Sequence, residues 1–404
     1  SGQKPPKEQT YYRNFAKILT MIGLGDQRWW GFHAPRWGLP WVVYYPVVVT
    51  RTIANHIPYV PFLSQLLQLY LIYDDMSSSA LGSTLTMIPI SFVVFIIVAS
   101  SQRKAYMVLM KQFLGSIHLN NFRNDDEHID EILIKVEKYI RYTSYGLVVL
   151  TNLISVNWIV IPTLFNIRNI DSIRNRTSEF QSIVYFYMPF DYLHDFRNWV
   201  ILHAINTFMT ILANSMINFF KILTYMFIFH WIGHINILKY RVQKFTVSEN
   251  CGQKLVDIIK YHMFIRRVFS DIEESFGILV TVTYLHNLLG DSLLLYNFMF
   301  GQKENFLAFG PMVVLYIGDL VLLSFVLEEV RRQTIYLSDI VYDMPWQNMC
   351  LQDQKTYLIF LGRVLEPFEF ISACGLRTGV RPMVSIIKST FSYYVMLKSS
   401  MRGD

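Results

Sequence analysis

Three observations predict an all-α fold built as a seven-transmembrane helical bundle: an apolar composition, a series of long uncharged runs, and an uneven placement of lysine and arginine. Of the 404 residues, 52% are hydrophobic and 16% charged, with a mean hydropathy of +0.29; soluble domains carry about 25% charged residues. Four uncharged runs, 52–73, 76–102, 142–167 and 198–220, each reach the ~20 residues that a helix needs to cross a bilayer. Three further apolar segments, 276–300, 306–327 and 382–397, are interrupted by one charge or a pair and raise the count to seven.

In chain order, residues 1–25 are polar and then amphipathic, without the apolar core and cleavage site of a signal peptide. The N-terminus is therefore expected in the cytosol and, after seven spans, the C-terminus outside. Segments 1–38, 101–141, 231–270 and 328–381 hold 26 of the 36 Lys and Arg residues, against 7 in segments 72–77, 165–200, 296–306 and 396–404. That asymmetry favours the same orientation. The sequon Asn175-Arg176-Thr177 lies between spans three and four, outside in this orientation, and marks Asn175 as the expected glycosylation site. Charged amphipathic runs at 125–145 and 246–277 lead directly into spans three and five, so these helices are expected to project well beyond the bilayer. Pro162 is expected to end the turn that carries Ile161.

Several function classes are disfavoured. Three cysteines, Cys251, Cys350 and Cys374, do not make a disulfide framework. A net charge of +6 spread over loops does not indicate nucleic-acid binding. The sequence holds no phosphate-cradling glycine loop, no nucleophile with a placed base and no HExxH, so an enzyme and a bound cofactor are not expected. His230 and His234 stand four apart, a metal-ligand spacing, but lack the third ligand that zinc requires. Arg402-Gly403-Asp404 reads as a solvated tail.

The last apolar segment carries an unusual pattern. Ser385, Ser389, Ser392, Met396 and Ser399 recur at spacings of 4, 3, 4 and 3, one narrow stripe of a helix whose other sides are apolar. Such hydroxyls suit a surface facing hydrated cations, and they equally suit close packing between membrane helices. Lys388 beside the stripe requires water or a carboxylate, or snorkels to the interface. Asp291 and Asp319, placed within spans, are functional candidates by their cost alone. Either could instead cap a helix or pair with a neighbouring subunit.

The stretches FVLEEVRRQTIYLSDIVYDMPWQNM, QKTYLIFLGRVLEPFEFISACGL and SIIKSTFSYYVMLKS place Glu329, Tyr342, Trp346, Arg363, Pro367, Gly375 and Ser392-Tyr393-Tyr394 in an order that resembles the signature of insect odorant receptors. YFYMPFDY at 185–192 is similar to the family's outer loop. Glu328 and Met383 depart from the family's usual glycine and phenylalanine. The chain lacks the TY-five-residue-QF ending of gustatory receptors, and it lacks the long insertion before span five that marks the family's shared co-receptor. It thus resembles a ligand-tuning subunit.

The resemblance implies a ligand-gated, non-selective cation channel, in which tuning and co-receptor chains form a heterotetramer in the plasma membrane of olfactory neuron dendrites. Residues 1–330 would form the bundle, with an odorant pocket in its outer half, and 331–378 a cytosolic anchor between subunits with Tyr342, Trp346, Arg363 and Pro367. Residues 379–404 would form the pore helix and a short tail. Ser385, Ser389 and Ser392 would then face monovalent and divalent cations. Met396 aligns with the family's gate, flanked by Val395 and Leu397.

A small volatile apolar ligand needs an apolar, aromatic pocket with few polar groups. Candidate faces are Ser79, Ser83 and Met87 on span two and Thr151, Ile154, Trp158 and Ile161 on span three. Span four offers His203, Asn206, Thr207 and Thr210; span five offers Tyr284, Asn287, Leu288 and Asp291. Each face also fits ordinary helix core. The competing readings are a G-protein-coupled chemoreceptor, which would need its N-terminus outside, a gustatory-type receptor channel, and a transporter, for which inverted repeats would be expected.

Overall fold

Backbone groups inside a bilayer must be satisfied within the chain, which favours helices for apolar runs of this length. The computed structural model describes residues 5–32, 49, 52–53, 59–72, 78–123, 125–248, 250–300 and 303–400. They form α1 (Thr10–Met21), α2 (Tyr59–Ile72), α3 (Ser78–Ser101), α4 (Lys104–Gln112), α5 (Glu127–Arg168), α6 (Phe196–Gln243), α7 (Cys251–Phe300), α8 (Lys303–Tyr342), α9 (Leu351–Val364) and α10 (Val380–Ser400). Among the described residues, the only extended pairing is an isolated antiparallel bridge between Ile371 and Arg377. The fold is an all-α, seven-transmembrane-like bundle.

Five of these helices, α3 and α5 to α8, are long and apolar enough to cross a membrane. α2 has 14 described residues; of the rest of the expected first span, 54–58 and 73 lie outside the described residues. α10 has 21 residues and carries Arg381, Lys388 and Lys398. α5, α6 and α7 have 42, 48 and 50 residues. At about 1.5 Å per residue they run well beyond a hydrocarbon layer of about 30 Å.

Local sequence sets where these helices start. The Asp126 side chain accepts from the His128 N–H to cap α5, and Asp195 accepts from the Arg197 and Asn198 N–H groups to cap α6. Pro162 does not end α5, which continues to Arg168. A proline inside a membrane helix is tolerated when neighbouring helices pack around the gap it leaves.

α5 packs along α6, α3 along α7, and α8 against both α6 and α7, while α10 lies on α7. The end of the bundle at Arg168 is here termed upper and the end at Glu127 lower. The lower half is closed by the amphipathic α1, which buries Tyr12, Phe15 and Leu19. Tyr12 meets His118 Nε2 at 2.6 Å, and the Asn120 N–H donates to His118 Nδ1 at 3.1 Å. That places the imidazole proton on Nε2, donating to the phenol oxygen. Burial, and then His230 and His234, hold the pKa of His118 well below its ordinary value.

His230 and His234 belong to the same core. His234 donates from Nε2 to the Ile117 carbonyl and accepts at Nδ1 from the Tyr261 hydroxyl. His230 donates from Nδ1 to the Met226 carbonyl. Gly233 between them lets Leu119 approach, because a Cβ there would stand 2.3 Å from Leu119 Cδ1.

Candidate functional site

The upper half holds a cavity of 110 Å³ bounded by α2, α3, α5, α6, α8 and the segment between α5 and α6. An apolar cavity of about 150 Å³ can hold one benzene-sized molecule; this one is somewhat smaller, on the scale of a single small ring. From α3 come Met87, Ile90, Ser91 and Val94; from α5, Thr151, Ile154 and Trp158. α6 contributes Asn206, Met209, Thr210, Ala213, Asn214 and Met216, and α8 contributes Met312, Leu315 and Tyr316. Helical spacing explains each set, since residues three and four apart share a face. Trp158 is further fixed by Phe309, edge-on at 5.3 Å between ring centres.

The connecting segment is drawn down onto the bundle by side chains that satisfy its backbone. Asn166 pairs with both the N–H and the carbonyl of Gln181, and Trp199 Nε1 donates to the same carbonyl. Asn206 donates to the Val184 carbonyl at 2.9 Å. These bonds bring Ile183, Val184 and Phe186 into the cavity wall.

Polar groups in the wall divide into two kinds. Thr151 donates to Asn218 at 2.9 Å and Asn214 donates to Ser155 at 2.6 Å, so both are engaged. Gln65, by contrast, has neither its amide nitrogen nor its oxygen paired, and Trp158 Nε1 and Asn206 Oδ1 also lack partners. All three side chains are buried. Leaving such a group unpaired costs about 1–3 kcal/mol, which a ligand bearing one hydrogen-bonding group would relieve.

The expected ligand-facing residues therefore separate. Met87, Thr151, Ile154, Trp158, Asn206 and Thr210 meet around the cavity. Ile161 packs on the same apolar cluster beside it. His203 lies above, stacked on Trp199 and hydrogen-bonded to Thr163 at 3.0 Å. Ser83 and Thr207 are half-buried and outside the lining, and the side chain of Ser79 lies outside the described residues.

The α7 face turns away from the cavity toward the terminal helix. Tyr284 bonds Ser324 at 2.8 Å and accepts from the Gly379 N–H at 3.2 Å. The Asn287 carbonyl accepts from Thr390 Oγ1 at 3.0 Å. Leu288 is half-buried beside them, and Asp291 is buried with Oδ1 unpaired.

Below the cavity, an ion pair crosses the bundle. Lys221 Nζ stands 2.8 Å from an Asp319 carboxylate oxygen, and Tyr225 donates to that carboxylate at 3.2 Å. Asp319 thus finds its cation within the chain. Its partner escaped the sequence reading because Lys221 merely ended an uncharged run. Tyr316 links the two levels, lining the cavity while its ring lies 5.8 Å from Lys221 Nζ.

The terminal helix α10 turns Thr390 and Met383 into the chain and leaves Ser385, Ser392, Val395 and Met396 exposed, with Ser389 half-buried. Lys388 shares the exposed side, and the side chain of Leu397 lies outside the described residues. Gly379, at φ +114°, occupies the left-handed region at its start, where a side chain would be strained. Glu328 fills the space beside it, accepting from the Val380 N–H at 3.4 Å while pairing with Arg331. In the preceding segment, Tyr342, Trp346, Arg363 and Pro367 are all exposed, Trp346 partly so because it stacks on Tyr357. Asn175 is exposed in the segment between α5 and α6.

A sequence model described as 7tm Odorant receptor matches residues 77–391. Among solved structures, the fold is similar to the insect olfactory receptor OR5 from Machilis hrabei in complex with eugenol. That match has a TM-score of 0.77 at 14% identity and covers 96% of this chain and 98% of the other. The structure of OR5 from the same organism described without eugenol matches with a TM-score of 0.73 at 14% identity, over 96% and 97% of the two chains. A search of curated proteins returns no match.

Proposed function

From the membership of this chain in the odorant receptor family, a family of multi-pass membrane receptors and not of enzymes, we propose that it is the odorant-binding, tuning subunit of a ligand-gated cation channel. The observation that carries this reading is the upper cavity, mostly apolar, with Thr151 and Asn214 engaged within the bundle and the polar groups of Gln65, Trp158 and Asn206 left unpaired. Its ligand is a small apolar volatile with one hydrogen-bonding group. Eugenol, with which the Machilis receptor OR5 forms a complex, is a small aromatic volatile whose oxygens are one hydroxyl and one methoxy group.

In this proposal the N-terminus is cytosolic, Asn175 is glycosylated outside, and the chain assembles with co-receptor chains into a heterotetramer of the plasma membrane in olfactory dendrites. The exposed Tyr342, Trp346, Leu358 and Ile359, within 331–378, support a subunit-contact role for that segment, because apolar side chains in water are otherwise costly. The exposed Ser385, Ser392 and Met396 support a pore-facing role for α10, since their outward direction leaves them unused in packing within the chain.

The test is a volatile screen on cells carrying this chain with a co-receptor, with tag accessibility at both termini in intact cells. Odorant-evoked cation current with an inaccessible N-terminus is expected; an accessible N-terminus and a response requiring a G protein would defeat the reading. For the pore, Met396→Ser should give a partial leak without odorant, because a hydroxyl wets an apolar constriction, whereas Met396→Leu should stay closed. Equal, silent baselines in both variants would remove Met396 from the gate.

A further inference from the structure

The lower end of the bundle holds a second, larger cavity of 700 Å³ between α5, α6 and α8, opposite the end that holds the volatile-sized one. Its charged walls are Lys135, Lys239 and Arg332 against a single carboxylate, Glu329. Arg332 already holds Glu329 through two bonds of 2.7 and 2.9 Å. Lys239, itself buried, is held by Gln333 and lies 5.1 Å from the Tyr336 ring centre. Lys135 is exposed, and among the described residues no carboxylate pairs with it. The cavity therefore presents uncompensated positive charge, while Ile132, Val136, Phe229 and Ile232 make part of its wall apolar.

Its level relative to a membrane follows from the outer face of α5. Val149, Leu153, Val156, Val160, Leu164 and Ile167 are all exposed on that helix, and Tyr139, Tyr142 and Tyr145 are exposed just below them. Tyr145 to Ile167 spans about 33 Å at the α-helical rise, close to a hydrocarbon thickness of about 30 Å. Tyrosines at the end of such a band mark the interface. Lys135 then stands about 10 Å below Tyr142, at the depth of a projecting headgroup. Tyr139 belongs to both the girdle and the cavity wall.

We propose that this cavity is a binding site for an anionic phospholipid with a phosphorylated headgroup, whose phosphates meet Lys135, Lys239 and Arg332 while its glycerol and upper acyl chains lie along Tyr139, Phe229 and Ile232. A basic pocket between membrane helices at headgroup level has this chemistry. A buried lysine with aromatic neighbours supplies a fixed charge, and Lys135 adds an exposed one to the same wall. In the orientation proposed above, this end faces the cytosolic leaflet, where anionic lipids concentrate. The binding test does not depend on that orientation.

The experiment uses the full chain purified in detergent and three probes: dioctanoyl phosphatidylinositol bisphosphate, dioctanoyl phosphatidylcholine and free inositol trisphosphate. Saturable binding of the bisphosphate lipid is expected, with at least about tenfold preference over either other probe. Lys135→Glu should weaken it by about thirtyfold, since each charge near a lipid surface is worth about fivefold and reversal counts twice. Because Lys135 is exposed, melting should stay unchanged. Equal binding of phosphatidylcholine, or lipid affinity unchanged in Lys135→Glu, overturns the proposal. Inositol trisphosphate binding as tightly as the lipid would assign the site to a soluble anion. A change of oligomer size in Lys135→Glu, with lipid affinity intact, would assign the face to another polypeptide.

Discussion

The two cavities share walls on the same three helices, α5, α6 and α8, yet their chemistry is opposite. The upper one is small and, among its described lining residues, uncharged, with unmet hydrogen-bonding demands on Gln65, Trp158 and Asn206. The lower one is several times larger and is lined by three cations and one carboxylate. In the membrane placement proposed above, the difference tracks depth. Within the hydrocarbon layer a charge is expensive and dispersion plus one hydrogen bond must suffice; at the headgroup level, charge is cheap and selects anions. The Lys221–Asp319 pair, between the two, is a charge made tolerable within the span by its partner.

The largest expected effect comes from breaking that partition. Lys221→Met strands Asp319 in the bundle and should cost about 3–5 kcal/mol, seen as a fall in melting temperature and surface yield. Adding Asp319→Leu should recover most of the loss. A double variant as unstable as the single one would show that the pair does not govern the layer.

Next comes the upper cavity itself. Trp158→Ala removes its largest wall and should weaken the odorant response by roughly thirtyfold, about 2 kcal/mol, with surface expression retained. Loss of expression instead would assign Trp158 to plain core. A smaller effect, with opposite signs in two readouts, is expected at Gln65. Gln65→Met replaces an unpaired buried amide with a thioether of similar shape, so melting should rise by about 1 kcal/mol equivalent, while ligands bearing a hydroxyl lose roughly fivefold in potency. Ligands without a hydroxyl should lose nothing; a uniform loss across ligands would mean that Gln65 acts through shape alone.

The smallest effect lies at the rim of the lower end. Hydrogen bonds from Lys244 and Tyr240, and then from the His128 N–H, bring the pKa of Asp126 down to about 2. A depressed carboxylate stabilises the fold above its ordinary pKa of about 3.9 and loses that contribution as pH falls through about 2. The melting difference between wild type and Asp126→Ala should therefore be present at pH 6 and shrink between about pH 4 and pH 2. A difference that persists at lower pH would mean that the cap works without its charge. The odorant response should show no such dependence in that window if the upper cavity is neutral as built.

Much of the helical order was legible from periodicity alone, because uncharged runs of span length have few alternatives in a bilayer. Periodicity also found the faces of α3, α5 and α6 that carry Met87, Thr151, Ile154, Trp158, Asn206 and Thr210. It misassigned nothing in kind on α7, where Tyr284, Asn287, Leu288 and Asp291 do share a face; that face meets α10 and the Lys221 layer instead of the cavity. A helical wheel says which residues point the same way, and not at which neighbour. The proline at 162 misled for a related reason, since its local cost was outweighed by packing along α6.

By itself, the sequence determined that this protein is a multi-pass helical bundle, which faces its helices have, and, through the C-terminal residues, its family. Those properties depend on short-range spacing and on the cost of burying backbone in lipid. Only the tertiary structure decided that Gln65, Ile183, Phe186, Met209 and Met312 converge with Trp158, and that Asp319 is answered by Lys221. Those residues come from separate helices and a loop with no period of its own. Their meeting is fixed by how the helices pack and by the hydrogen bonds from Asn166, Trp199 and Asn206 that hold the loop down.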